Sequence, residues 1–124
     1  QRLIAETTAF SEDEGLRACA ALFDTNTAFT AIVDANDLIA LGAYEAISDA
    51  GQSCPGHVSV TGFNDMPFVD RLTPPLTTVR IPHYELGREA GRRLVELIET
   101  PDSPARSTTL RPELIVRGST AAVI

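Results

Sequence analysis

Two short apolar runs rich in β-branched residues, FTAIVD at residues 29–34 and HVSVTGF at residues 57–63, flank a stretch with the period and punctuation of a helix. Such runs suit strands buried on both faces of a sheet, and a crossover helix brings two strands back side by side and parallel. The intervening helix is capped by Asn36 or Asp37, carries Leu38, Leu41, Ala46 and Ile47, and stops at Gly51. A glycine just past the last turn accepts positive φ cheaply. A further strand is expected upstream, at residues 2–8 (RLIAETT), followed by a helix opened by Ser11. There the Ser11 hydroxyl caps the Glu14 amide, and the Glu14 carboxylate is expected to return to the Ser11 amide. Leu16, Cys19, Ala20 and Phe23 recur at helical spacing as its buried stripe. The order is β-α-β-α-β, and the fold class it implies is α/β: a parallel sheet with flanking helices.

The remainder breaks that rhythm. Residues 66–75 form a loop with adjacent prolines, and residues 76–81 (LTTVRI) read as a strand. Pro82 and His83 open a helix with Leu86, Ala90, Leu94 and Leu97 on one stripe; it ends near Thr100 and Pro101. Gly87 and Gly91, four apart beside the stripe, would permit close approach of another backbone. After a polar linker at residues 102–106, two closing strands are expected at residues 107–110 and 113–117, separated by Arg111 and Pro112.

Composition narrows the function. The 124 residues suffice for one domain with a real core, and 44% hydrophobic with 22% charged residues is an ordinary globular balance. A net charge of −7 argues against direct phosphate-backbone binding, which needs clustered Lys and Arg. No apolar stretch approaches the roughly 20 residues of a membrane-spanning helix, so no membrane partner is expected. Cys19 and Cys54 lack Cys or His neighbours at metal-ligand spacing and read as free thiols of a reducing compartment, with no metal or other cofactor implied. A start at Gln1 suggests a processed or truncated beginning.

In an open parallel sheet, ligands bind beyond the carboxyl ends of the strands. Three stretches fall there: Thr8-Ala9-Phe10, Asp34-Ala35-Asn36-Asp37 and Gly62-Phe63-Asn64-Asp65. Phe10 offers a flat face for a sugar ring or base, or is a hydrophobic staple ahead of the capped helix. Asn36 and Asn64 each present one acceptor and two donors, and Asp65 acceptors only, the mixture a hydroxyl-rich ligand needs. Asn36 or Asp37 also fits a plain N-cap, and Asn64-Asp65 a plain turn. Catalysis has little support: neither His57 nor His83 is placed with a nucleophile and a carboxylate, and Glu12, Asp13 and Glu14 suit a helix first turn. Gly87 and Gly91 lie inside a helix and make no phosphate loop.

Four stretches in order, TAIVDANDLIALGAYEAISDAG (30–51), VSVTGFND (58–65), PPLTTVRIPHYELGREAG (74–91) and RPELIVRGST (111–120), resemble the lactose-repressor (LacI/GalR) family of transcription regulators over nearly the whole chain. The resemblance implies part of a periplasmic-binding-protein-like effector domain, truncated: residues 1–75 and 107–124 in the C-terminal lobe, and residues 76–106 as a crossover strand and a helix belonging to the other lobe. It implies a small-molecule effector such as a sugar or nucleoside between the lobes, a homodimer, operator DNA bound only through an absent helix-turn-helix, and a cytoplasmic location. By position, Phe10 is similar to the family's stacking aromatic, Asn36 to a polar contact, and Asn64 to a position usually occupied by Asp. The family's arginine contact falls upstream of Gln1. Leu38, Leu41 and Tyr44 are the implied dimer surface, or else core. With its partner lobe absent, the helix at residues 84–99 is expected to pack elsewhere or to exchange with a second copy. The alternatives are the C-terminal lobe of a periplasmic-type sugar-binding protein, or a hydrolase or transferase on a doubly wound sheet.

Overall fold

The computed structural model describes residues 3–122. One four-stranded sheet runs in the order β1 (Ala31–Val33), β2 (Ser59–Asn64), β3 (Thr77–Arg80) and β4 (Glu113–Ile115). β1 and β2 are parallel, as are β2 and β3, whereas β4 is antiparallel to β3. Helices α1 (Glu12–Phe23) and α2 (Asp37–Asp49) pack on each other, and α2 packs on β2; α3 (His83–Glu99) follows β3. The expected α/β class with a parallel-dominated sheet is what forms.

The core lies between α1, α2 and one face of the sheet. Ala43, Ile47, Val58, Val60 and Leu76 are essentially inaccessible, each apolar side chain larger than alanine contributing roughly 1.5–3 kcal/mol. α1 and α2 meet backbone to backbone: a Cβ on Gly15 would fall inside the Ile39 backbone, and one on Gly42 inside that of Glu12. Those glycines set the helix spacing, so the buried stripe of α1 is Gly15, Ala18 and Cys19; Leu16 and Phe23 flank it, and Ala20, expected inside, is exposed.

Local chemistry fixes the helix ends. Ser11 Oγ accepts from Glu14 N at 3.3 Å. The reciprocal half of the expected capping box does not form, because Glu14 turns to Thr8 N (2.6 Å), Thr8 Oγ1 and Arg17. The Arg17 hydrogen bond, then those of Thr8, lower the Glu14 carboxyl to about 2. Past α2, Gly51 sits at φ +69°, with Gly51 N bonded to Ser48 O and Gln52 N to Ile47 O. That double bond closes the helix as a Schellman motif.

Four expectations are corrected. Residues 3–8, the described part of the expected first strand, form none: residues 3–7 alternate half-buried and exposed, but a groove of ≈ 370 Å³ is lined by them together with β1 and α1. Without a neighbour there is no ladder to join. β1, an edge strand, is buried on one face only (Val33 is 85% exposed), since α1 and α2 cover just one side of the sheet. Residues 107–110 are not a strand; Thr108 is held instead by Arg93 and Glu89 of α3. Finally, nothing within the chain approaches Gly87 or Gly91, and of the two fates expected for α3 the chain does not show packing elsewhere, which leaves exchange with a second copy: α3 buries no residue, and Leu86, Leu94 and Leu97 are about half exposed or more.

Candidate functional site

The parallel pair β1–β2 sends two exits to one edge of the sheet: the loop carrying Asn36, and Asn64, the last residue of β2. Phe10 immediately precedes the cap of α1, whose first turn touches the first turn of α2 through Gly15 and Ile39. All three expected contacts therefore belong to the end of the fold where helices begin and parallel strands finish.

Phe10 is 67% exposed, a free aromatic face and not a staple. Asn36 is 7% exposed, and its Oδ1 accepts from Ile39 N at 2.9 Å. It is the N-cap of α2; its amide nitrogen keeps two donors with no partner among the described residues.

Asp37, weighed above only as a cap, has a different task. Fully buried, it accepts from Thr78 Oγ1 at 2.6 Å and from Met66 N at 2.7 Å, tying α2 to β3 and to the chain leaving β2. Gly62 makes this possible, since a Cβ there would collide with the Asp37 carboxylate.

The end of β2 is unusual. Asn64 has φ +116° and Asp65 φ +60°, two consecutive non-glycine residues in the region that favours glycine. Each such residue costs of order 1–3 kcal/mol and persists only where the surroundings impose it. The side chain of Asn64 has no hydrogen-bond partner among the described residues. Asp65 Oδ2 accepts from Arg80 Nε at 2.6 Å, and Oδ1 from Arg117 Nη2 at 2.7 Å, so both oxygens expected to face a ligand are occupied. Burial opposes ionisation of Asp65, but Arg117 and Arg80 outweigh it and hold its carboxyl below the ordinary value. Arg117 is anchored in turn, donating from Nη1 to Leu76 O at 2.8 Å.

Asp34, two residues before Asn36, lines the groove beside residues 3–7. Its Oδ2 is buried with no partner, and burial pushes the carboxyl up to about 7. Among the described residues no cluster suits a metal ion. The Ser53 hydroxyl lies 2.9 Å from His57 Nδ1, but the Ser53 amide also points at that nitrogen (3.1 Å), a turn-stapling arrangement with no carboxylate to orient the ring. Cys19 and Cys54 are free thiols. Burial pushes Cys19 up to about 12, far from a reactive thiolate.

Of the residues implied for a dimer surface, Leu38 and Leu41 are half-buried and lie outside the core cluster. Tyr44 packs against the core and donates from its hydroxyl to Pro74 O at 3.0 Å.

Arg80, Arg117 and the bracing role of Asp37 escaped the sequence. Their partners lie 15 to 52 residues away, and no local spacing announces such a pairing.

The model of the periplasmic binding protein-like domain matches residues 1–120. The chain is 38% identical over 122 residues to the HTH-type transcriptional regulator MalR of Streptomyces coelicolor, covering 98% of this chain and 35% of that protein. It is 47% identical over 89 residues to a lactose operon repressor of Rhizobium radiobacter, covering 72% of this chain and 78% of that sequence. A LacI-family regulator from Enterococcus faecalis, solved with bound ribose, superposes with a TM-score of 0.86 at 34% identity, over 94% of this chain and 42% of the other. The chain thus spans about a third of the length of the regulators it matches first.

Proposed function

This chain belongs to the LacI family of transcription regulators, within the periplasmic-binding-protein-like effector domain, and from that premise we propose that it forms one wall of a cleft that senses a sugar or nucleoside. No catalysis is involved: the relatives are regulators and repressors. Solved relatives carry ribose, lactose and cellobiose, all of them rich in hydroxyls. The observation that carries the proposal is the shared end of the fold: the free Asn36 amide nitrogen and unpartnered Asn64 stand where parallel strands end, and exposed Phe10 stands just before the cap of α1. Asn64 supplies donors as well as an acceptor, so it suits a hydroxyl that both gives and receives.

The effector acts by favouring one arrangement of the two lobes, which biases the DNA-binding heads of a cytoplasmic homodimer; an operator is reached through a helix-turn-helix elsewhere in the protein. Residues 1–75 and 107–124 form this lobe; β3 is an inner strand of the same sheet, so within residues 76–106 it is the stretch after β3, carrying α3, that crosses to the other lobe. The unburied α3 supports that division, because its apolar stripe is a surface shaped to be covered. Leu38 and Leu41, half-buried outside the core, supply part of the dimer surface, with Tyr44 fixed beside them.

Calorimetric titration of the full-length regulator with ribose, lactose, cellobiose and adenosine tests the site. Phe10→Ala and Asn64→Ala are each expected to weaken binding by about tenfold. Unchanged affinity in both variants would place the site elsewhere.

A further inference from the structure

We propose that Asp65 is a positioning residue, gripped by Arg80 and Arg117 so that Asn64 is fixed in its effector-binding orientation before any effector arrives. This rests on the assignment of Asn64 as an effector contact.

Asn64 cannot hold itself. Its φ of +116° is one an asparagine adopts only under constraint, and its side chain has no partner among the described residues. On one side it is fixed by the β2–β3 ladder, where it stands opposite Arg80. On the other side the chain is held first at Asp65. Asp65 carries its own positive φ, and its side chain is only 8% exposed between two guanidinium groups. One residue further, Met66 N donates to the buried Asp37.

The two arginines belong to different parts of the fold. Arg80 ends β3 and is half exposed. Arg117 follows β4; it is 16% exposed, its Nη1 donates to Leu76 O, and its backbone N donates to Thr77 Oγ1. The turn is therefore bolted to three elements at once. A ligand hydroxyl meets an amide already in place, and the cost of ordering a loop on binding is removed.

The discriminating variant is Asp65→Gly in the full-length regulator. Glycine accepts φ +60° without strain, so the backbone turn is tolerated, whereas both arginine contacts to it are lost. Titration with ribose, lactose and cellobiose should show affinity for the sugar bound by the wild type falling about tenfold or more; the loss of Arg117's partner should also lower the unfolding temperature, so binding is measured well below it. Arg80→Gln, a half-exposed change, should weaken the same binding by a smaller factor. Wild-type affinity in Asp65→Gly overturns the proposal; should that variant not fold, wild-type affinity in Arg80→Gln does so. Asn64→Ala, measured alongside, separates the two levels. If it binds as the wild type does, the site assignment itself fails; if it alone is weakened, only the positioning role fails.

Discussion

Helices α2 and α3 obey the same local rules and meet opposite fates. α2 has 13 residues, a side-chain cap, a glycine stop and seven buried positions. α3 has 17 residues and a clear apolar stripe, yet buries none, and its cap position is Pro82 with no side-chain bond. Ion pairs among Glu89, Arg92, Arg93 and Glu96 line its polar side. An amphipathic stripe records that a partner surface exists, and whether the surface is present is decided elsewhere. α2 meets α1 and the sheet; α3 projects beyond both.

Glycine substitution breaks the comparison most sharply. Gly42→Val drives a side chain into the α1 backbone and is expected to lower stability by about 3 kcal/mol or more, measured by chemical unfolding. Gly87→Ala in α3, where a Cβ meets nothing, should instead raise stability by up to about 1 kcal/mol. Equal effects at the two positions would contradict the packing described.

A second test uses pH. Burial raises Asp34 in the folded state to about 7, so the folded chain binds a proton that the unfolded chain releases near 4. Stability must then fall as pH rises through that window, by on the order of 3 kcal/mol in total. Asp34→Asn should flatten this part of the profile when unfolding is followed from pH 4 to 8. An unchanged slope would remove Asp34 as its source.

The smallest contrast is between a cap and an unpacked leucine. Asn36→Ala removes the α2 cap and should cost about 1 kcal/mol in this chain. Leu94→Ala, on a side chain 60% exposed, should change stability by less than about 0.5 kcal/mol, a value low for any leucine in a packed helix. A larger loss would mean that α3 packs in solution.

The cap at Asn36 and the strand end at Asn64 were legible, because strand ends and caps are written in consecutive residues; Phe10 was expected after a strand and instead only precedes the cap of α1. Asp65 was legible only as an acceptor; the arginines that occupy it come from the ends of β3 and β4. The first strand failed for the converse reason. Residues 3–7 have strand-like alternation, but a strand exists only in its ladder, and none of the described strands lies beside them.

By itself the sequence determined the local units and the family: three helices, strand runs at 29–34, 57–63 and 76–81 within which β1, β2 and β3 largely fall, and the motifs shared with LacI-type regulators. These follow from hydrogen bonds and side-chain periods spanning a few residues. Only the tertiary structure decided which apolar faces are covered and what each carboxylate does. Asp34 Oδ2 is buried and unpartnered, Asp37 ties α2 to β3 and to the loop after β2, and Asp65 is held between arginines. Apolar burial is non-directional, and a carboxylate bonds whichever donor the fold delivers, so neither outcome is encoded near the residue that shows it.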